Sequence, residues 1–411
     1  MIGRRERWSY ASGDLGFNFV WQSAEFYLLF FYVRGLGLSP GGASAIFLAG
    51  AALDWITDPA IGAIADRMAP RVPLRMWVGL GGPAAVLLLS LAFVPWQKTA
   101  LPVWPMALIT YLALRVAYSI GNIPYAALTA RLSAEPADHL ALTATRMQAA
   151  AIGGLVATAL YAVLTPHGSE MADFRLGALI LAALSLPAFL LTAFGVRERI
   201  SPAKATIRGK APGIPLLSMV ALIRNTPALR RLLMTIIAAG LIITGVDKAL
   251  LFLFEERGLA HIGYFVAPMP SAALLLSAPL WRWAGRRFGH RHILLTASAL
   301  TPAALAASLL IPGPGALMAL VVIVIVANAG MGIMFWTIVP TVVARCETDN
   351  GDGSHAARIY ALCTVARKFA QAMAPQVIAL ALILPGLSVL GAITGMAIFG
   401  ALLIRLQPPE S

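Results

Sequence analysis

The sequence predicts an all-α membrane protein with twelve transmembrane helices in two six-helix halves, and three observations lead there. Of 411 residues, 59% are hydrophobic and only 12% charged, a balance that a soluble domain of this size does not show. The apolar residues gather into runs long enough to cross a bilayer as helices. The basic residues gather into alternate connections between those runs.

Taken in order, the first six runs are Tyr10 to Val33, Ala43 to Ala65, Met76 to Pro95, Leu101 to Ala127, Leu140 to Leu164 and Phe174 to Val196. A polar connector from Arg197 to Arg231 interrupts the pattern. The second six are Leu232 to Phe254, Tyr264 to Trp281, His292 to Ile311, Ala316 to Val343, Ile359 to Ile383 and Leu387 to Leu406. The expected organisation is a bundle over 1–196, a cytoplasmic linker over 197–231 and a second bundle over 232–411. The start, Arg4-Arg5-Glu6-Arg7, has the charge of a signal peptide. The run behind it carries Asp14, Asn18 and Glu25 and lacks a cleavage site, so it reads as a retained first helix.

With both termini inside, the inner connections hold Arg4, Arg5, Arg7, Arg67, Arg71, Arg75, the basic linker, Arg282, Arg286, Arg287, Arg291, Arg345 and Arg405. The outer ones hold only Arg34, Lys98, Arg175 and Arg257. An odd number of spans would destroy that asymmetry. The same placement accounts for the net charge of +13 without a nucleic-acid-binding face. Cys346 and Cys363 have no metal-ligand spacing and lie toward the cytosolic side, where no disulfide is expected. The second-to-third connection is basic in both halves, with Asp66-Arg67, Arg71 and Arg75 in one and Arg282, Arg286, Arg287 and Arg291 in the other. Matched positions of this kind suggest two related halves with a substrate bound between them.

The second run contains Asp54-Trp55-Ile56-Thr57-Asp58-Pro59, two carboxylates one helical turn apart on one face, with about 6 Å of rise between them. An unpaired carboxylate at this depth costs at least about 2.5 kcal/mol, so the pair must face water, a counter-charge or a bound cation. A shared cation site is the functional reading; structural pairing or capping is the plain one.

Several stretches resemble a known family. Gly62-Ala63-Ile64-Ala65-Asp66-Arg67 with Arg71 is similar to the conformational signature between the second and third helices of the major facilitator superfamily. Tyr10-Ala11-Ser12-Gly13-Asp14 with Asn18, the Asp54 to Pro59 stretch, Asn122-Ile123-Pro124-Tyr125 with Leu128, and Lys368 resemble the glycoside-pentoside-hexuronide:cation symporters, the melibiose permease family. The resemblance implies the major facilitator fold and secondary symport of a small polar solute with Na⁺ or H⁺. It implies a cation site of Asp54, Asp58, Asn18, Ser119 and Asn122, and it places Arg146 and Lys368 near the cation and sugar sites. Asn18 and Asn122 are amides where sodium-using melibiose carriers have carboxylates, which favours H⁺ over Na⁺. Ala126 stands where sugar-binding members often have an aromatic, which speaks against a galactoside.

If Asn18 and Asn122 share that site, Glu25 and Arg115, each seven residues outward, lie level about 10 Å above it. An ion pair between them is expected, lining the cavity with Trp21 and Tyr118; pairing of Arg115 with Asp54 is the alternative. Trp55 is expected to pack against neighbours, and Asp247-Lys248 reads either as a self-compensating pair or as part of coupling. No Walker-type loop and no metal-ligand cluster occurs, so neither ATP-driven transport nor an enzyme nor a resident cofactor is expected, beyond the coupling ion. The expected partners are a small-molecule substrate and the bilayer, with no nucleic acid, for a monomer in a bacterial inner membrane. Two alternatives stay open: a lysolipid or other amphiphile carried by the same fold, and a non-transporting scaffold or sensor.

Overall fold

A computed structural model describes residues 2–29, 31–164, 171–200, 215–256, 258, 269–311, 313–350, 355–383 and 388–406. All regular structure among them is helical, in thirteen α-helices. They are α1 Arg4–Gln22, α2 Pro40–Met68, α3 Leu74–Ala92, α4 Val103–Leu132, α5 Pro136–Leu164, α6 Met171–Gly195, α7 Pro215–Asn225, α8 Pro227–Glu256, α9 Met269–Phe288, α10 His290–Leu310, α11 Pro314–Asn350, α12 Ala356–Ile383 and α13 Val389–Leu406.

Nine of the described helices are long and apolar enough to cross a membrane. The chain is an integral, multi-pass membrane protein. Three more helices, α1, α9 and α12, coincide with expected spans but are more polar, α12 through Arg358, Arg367 and Lys368. The first span is not α-helical throughout: α1 gives way to π-helical turns at Ser23–Leu28 and Phe31–Gly35. The connector, expected only as a polar interruption, carries α7, with Met219 and Leu222 buried.

Local chemistry sets the ends. Ser39 accepts the Gly42 N–H at 3.1 Å ahead of Pro40, so α2 begins with a side-chain cap and a proline at its first position. Proline also opens α5, α7, α8 and α11, and Gly289, at φ 83°, separates α9 from α10 in a conformation that costs glycine nothing.

Packing divides the chain into two compact units. One comprises 1–134, 149–216 and 350–361, the other 135–148, 217–349 and 362–411. In the first, Phe17 of α1 sits among Phe189 of α6, at 4.6 Å between ring centroids, and Tyr118 and Tyr125 of α4, at 5.3 and 5.4 Å. α3 and α4 touch through Gly81 and Gly121, where a Cβ on Gly81 would overlap the opposing backbone. The chain after α6 folds back on this unit: Arg199 and Ile200 donate their N–H groups to the Arg131 carbonyl, and the Arg199 guanidinium pairs with Glu6 at 2.7 Å. In the second unit, α13 packs on α8 and α10, with Gly400 against Ile242, and Trp281 donates its indole N–H to the Val326 carbonyl at 3.1 Å. Cys346 and Cys363 are buried thiols that are not joined in a disulfide.

Candidate functional site

The candidate site in the first unit is built on two parallel stripes. α2 and α4 meet turn after turn in one register: the space beside Gly50 is filled by the Tyr111 ring, Asp54 meets Arg115, and Asp58 meets Ser119. The chain separation is 61 residues at each polar pair. Four-residue steps on both helices keep the stripes facing each other. Pro59 and Pro124 lack an N–H, so the carbonyl four residues before each loses its intrahelical donor beside the site.

Asp54 and Asp58 are 1% and 0% exposed, and Arg115 8%. The Arg115 guanidinium donates from Nε to Asp54 Oδ1 at 3.2 Å and from Nη2 to Oδ2, a two-pronged charge-assisted pair. Its Cζ lies 4.7 Å from the centroid of the Trp21 ring and 5.8 Å from that of Tyr111, whose hydroxyl accepts from Nη1 at 3.5 Å. Trp21 in turn packs on Tyr118 at 5.4 Å. One turn along, the Ser119 hydroxyl donates to Asp58 Oδ1 at 2.5 Å.

Of the two partners considered for Arg115, the structure therefore shows Asp54. The Glu25 side chain lies outside the described residues, although its backbone is part of the π-helical turn after Trp21. Asn18 is half-buried on α1 against Gly153, and its amide donates to the Asp14 carbonyl of its own helix at 2.8 Å. Asn122 is half-buried on α4, past Ser119. Trp55, expected to pack, is 53% exposed. Successive helical residues are about 100° apart, so turning Asp54 inward turns its neighbour out.

The remaining residues fall elsewhere. Arg146, on α5, is buried in the second unit with its guanidinium 5.2 Å from the Trp336 ring centroid, and Lys368 is half-buried on α12 in that unit. Asp247 and Lys248 are both exposed on α8. Of the conformational residues, Asp66 is buried at the end of α2 and accepts the N–H groups of Ala357 at 2.9 Å and Arg358 at 2.8 Å, the first turn of α12. Gly62 allows that approach, since a Cβ there would lie 2.8 Å from the Ala357 carbonyl oxygen. Arg67 and Arg71 are exposed.

Among the described residues no group of three or more His, Cys, Asp or Glu is placed to hold a metal. What the stripes offer instead is a buried row of one guanidinium, two carboxylates and a hydroxyl, with the Trp21 and Tyr111 rings beside the guanidinium. Such a row can hold and exchange a cation or a polar solute at depth in a membrane.

A family described as MFS/sugar transport protein matches residues 9–402. The chain belongs to that family. It is 30% identical over 213 residues to the inner membrane symporter YicJ of Escherichia coli (strain K12), a match covering 50% of this chain and 46% of the relative. It is 25% identical over 306 residues to the isoprimeverose transporter of Lactiplantibacillus pentosus, covering 72% of this chain and 62% of the relative. The matched stretches thus span about half to three-fifths of these relatives' lengths. The structure is similar to that of the Escherichia coli fucose:proton symporter FucP, with a TM-score of 0.74, 12% identity and 97% of each chain covered. The fold is that of the major facilitator superfamily.

Proposed function

We propose that this chain is a secondary active transporter that moves a small polar solute, a sugar, glycoside or sugar acid, in symport with a cation by alternating access. The observation that carries the reading is the buried row on α2 and α4, where Arg115, Asp54, Asp58 and Ser119 sit together at the centre of two membrane-crossing helices. Keeping four polar groups there costs stability, and a solute or ion pathway is the use that offsets it. Membership of the MFS/sugar transport family supports the same reading, as do relatives named as a symporter and an isoprimeverose transporter. In this reading Asp58 and Ser119 serve the coupled cation, while Trp21, Tyr118, Arg146 and Lys368 contact the solute. The protein acts as a monomer in a bacterial inner membrane with both termini in the cytoplasm.

The test is a flux assay in proteoliposomes. A panel of sugars, glycosides, uronic acids and lysolipids is presented under a proton or sodium gradient, and solute accumulation and ion movement are recorded together. One polar solute should accumulate with co-movement of an ion. Movement of lysolipid alone would reassign the cargo, and accumulation that ignores every ion gradient would overturn symport.

A further inference from the structure

The resemblance implies a site for a coupled cation, Na⁺ or H⁺, that includes the α2 carboxylates, and the residues present at Asp54 do not fit a sodium ion. Both oxygens of Asp54 accept hydrogen bonds from one guanidinium. Arg115 is 8% exposed, its guanidinium cannot lose its proton, and it lies over the Trp21 ring with Nη1 donating to the Tyr111 hydroxyl at 3.5 Å. A sodium ion needs several oxygen lone pairs converging on one point and no positive charge beside it. At Asp54 each oxygen already accepts from the guanidinium, and the positive charge is already in place.

We propose that Arg115 is a tethered cation that fills Asp54, so that the α2 carboxylate pair takes no sodium ion. The register of the two stripes makes the substitution geometrically natural: the residue level with Asp54 on α4 is the arginine, and the residue level with Asp58 is a serine. With Arg115 counted, the row of two carboxylates carries a net charge of −1 rather than −2. Sodium entering at Asp54 would have to break a buried, two-pronged pair and then sit beside the displaced guanidinium, a double penalty in a low-dielectric site. Arg115 thereby sets ion specificity. The inference rests on the symport reading for its physiological meaning but makes a claim about ion binding alone.

The experiment uses the purified full-length protein. NaCl is titrated against choline chloride at fixed pH and ionic strength, read by tryptophan fluorescence and by calorimetry. The wild type should give no saturable sodium response. Arg115→Gln keeps donors but removes the charge, and Arg115→Ala removes both; each should gain a saturable response over the NaCl range in which the wild type shows none. Adding Asp54→Asn to either variant should abolish the gain, and Arg115→Lys, which keeps a tethered charge, should not show it. A saturable wild-type response that Asp54→Asn removes would overturn the proposal. So would a folded Arg115→Gln protein with no sodium response. Because ion binding is read at equilibrium, a chain that moves no solute would overturn symport and leave this result standing, while sodium binding by the wild type would overturn the tethered cation and leave symport standing.

Discussion

Asp66, at the end of α2, holds the backbone N–H of Arg358, 292 residues away in sequence, at 2.8 Å, and its other carboxylate oxygen takes the neighbouring N–H of Ala357. A helix leaves its first N–H groups without intrahelical acceptors, and the start of a helix favours negative charge. Asp66 therefore acts as an N-terminal cap supplied by a different helix. Asp66→Ala should lower thermal stability by about 1–2 kcal/mol, the usual cost of losing a cap. Asp66→Asn should cost less, since an amide oxygen still accepts one hydrogen bond. Gly62→Leu should cost more than either, because its side chain must displace the Ala357 carbonyl and Ala361. Melting of the purified variants gives the order; Asp66→Ala as stable as the wild type would remove the capping role.

A second prediction concerns Asp58 and Ser119. Asp58→Asn removes the charge from a fully buried position while keeping its volume, so the protein should still insert and fold, yet accumulate no solute against a gradient. Ser119→Ala removes only the donor at 2.5 Å, a hydrogen bond to a charged group worth about 1.5–3 kcal/mol. It should weaken coupling without abolishing it. Uptake with and without an ion gradient separates the two, and concentrative uptake by Asp58→Asn at wild-type level would exclude Asp58 from coupling.

The membrane plan was legible because bilayer thickness imposes itself on composition. The run from Ala43 to Ala65 lies inside α2, and that from His292 to Ile311 matches α10 within two residues. Where backbone geometry rather than hydropathy decides, the reading stopped short. α11 continues past Val343 to Asn350 through Arg345, Glu347 and Thr348, because a helix leaving the membrane can go on without apolar residues. α7 was missed inside a polar connector, although Met219 and Leu222, three apart, carried its signal. For Arg115, axial bookkeeping along single helices placed the residue outward of Asn122, but the partner depends on the stagger between helices. That stagger appears only when Gly50 with Tyr111, Asp54 with Arg115 and Asp58 with Ser119 are seen as one register. Nothing local to Asp66 announces a partner in α12.

At the start of α1, burial by itself would raise the Glu6 carboxyl. The Arg199 guanidinium and the Arg197 N–H bond it, and together with the arginine charges they hold its pKa below the ordinary carboxylate value. A lowered folded-state pKa contributes stability that is present above the ordinary value and lost as pH falls through the lowered one. The contact should therefore be intact at neutral pH and released in acid. Hydrogen exchange at the Arg197 amide, which donates to Glu6 at 2.9 Å, should accelerate in Glu6→Gln at neutral pH. The amides of Arg199 and Ile200, held by the Arg131 carbonyl, should change less. Equal acceleration at all three would mean that Glu6 anchors the whole segment rather than one end of it.

The last prediction addresses what the Asp54 to Arg115 pair contributes to the fold. Two charges taken out of water lose their hydration, and their mutual attraction repays that loss only when the geometry is good and the remaining hydrogen-bonding sites are served. Here the geometry is two-pronged and the guanidinium is flanked by rings at 4.7 and 5.8 Å, so the pair is well formed. Asp54→Asn leaves a buried guanidinium facing an uncharged amide, and Arg115→Gln leaves a buried carboxylate in the converse state. Each single change should destabilise by about 3–5 kcal/mol, the range for breaking a buried pair from one side. The double change leaves two neutral amides that can hydrogen-bond each other across the same α2 and α4 contact, so it should cost less than either single change. The coupling energy of that cycle, taken from melting in detergent, should be large and favourable to the pair. Additive losses would mean that the two side chains act separately and that the register of α2 on α4 is held by packing at Gly50 and Tyr111. Recovery in the double variant would mean that charge balance, more than the charges themselves, is what this depth of the bundle requires, leaving the charges to be explained by transport.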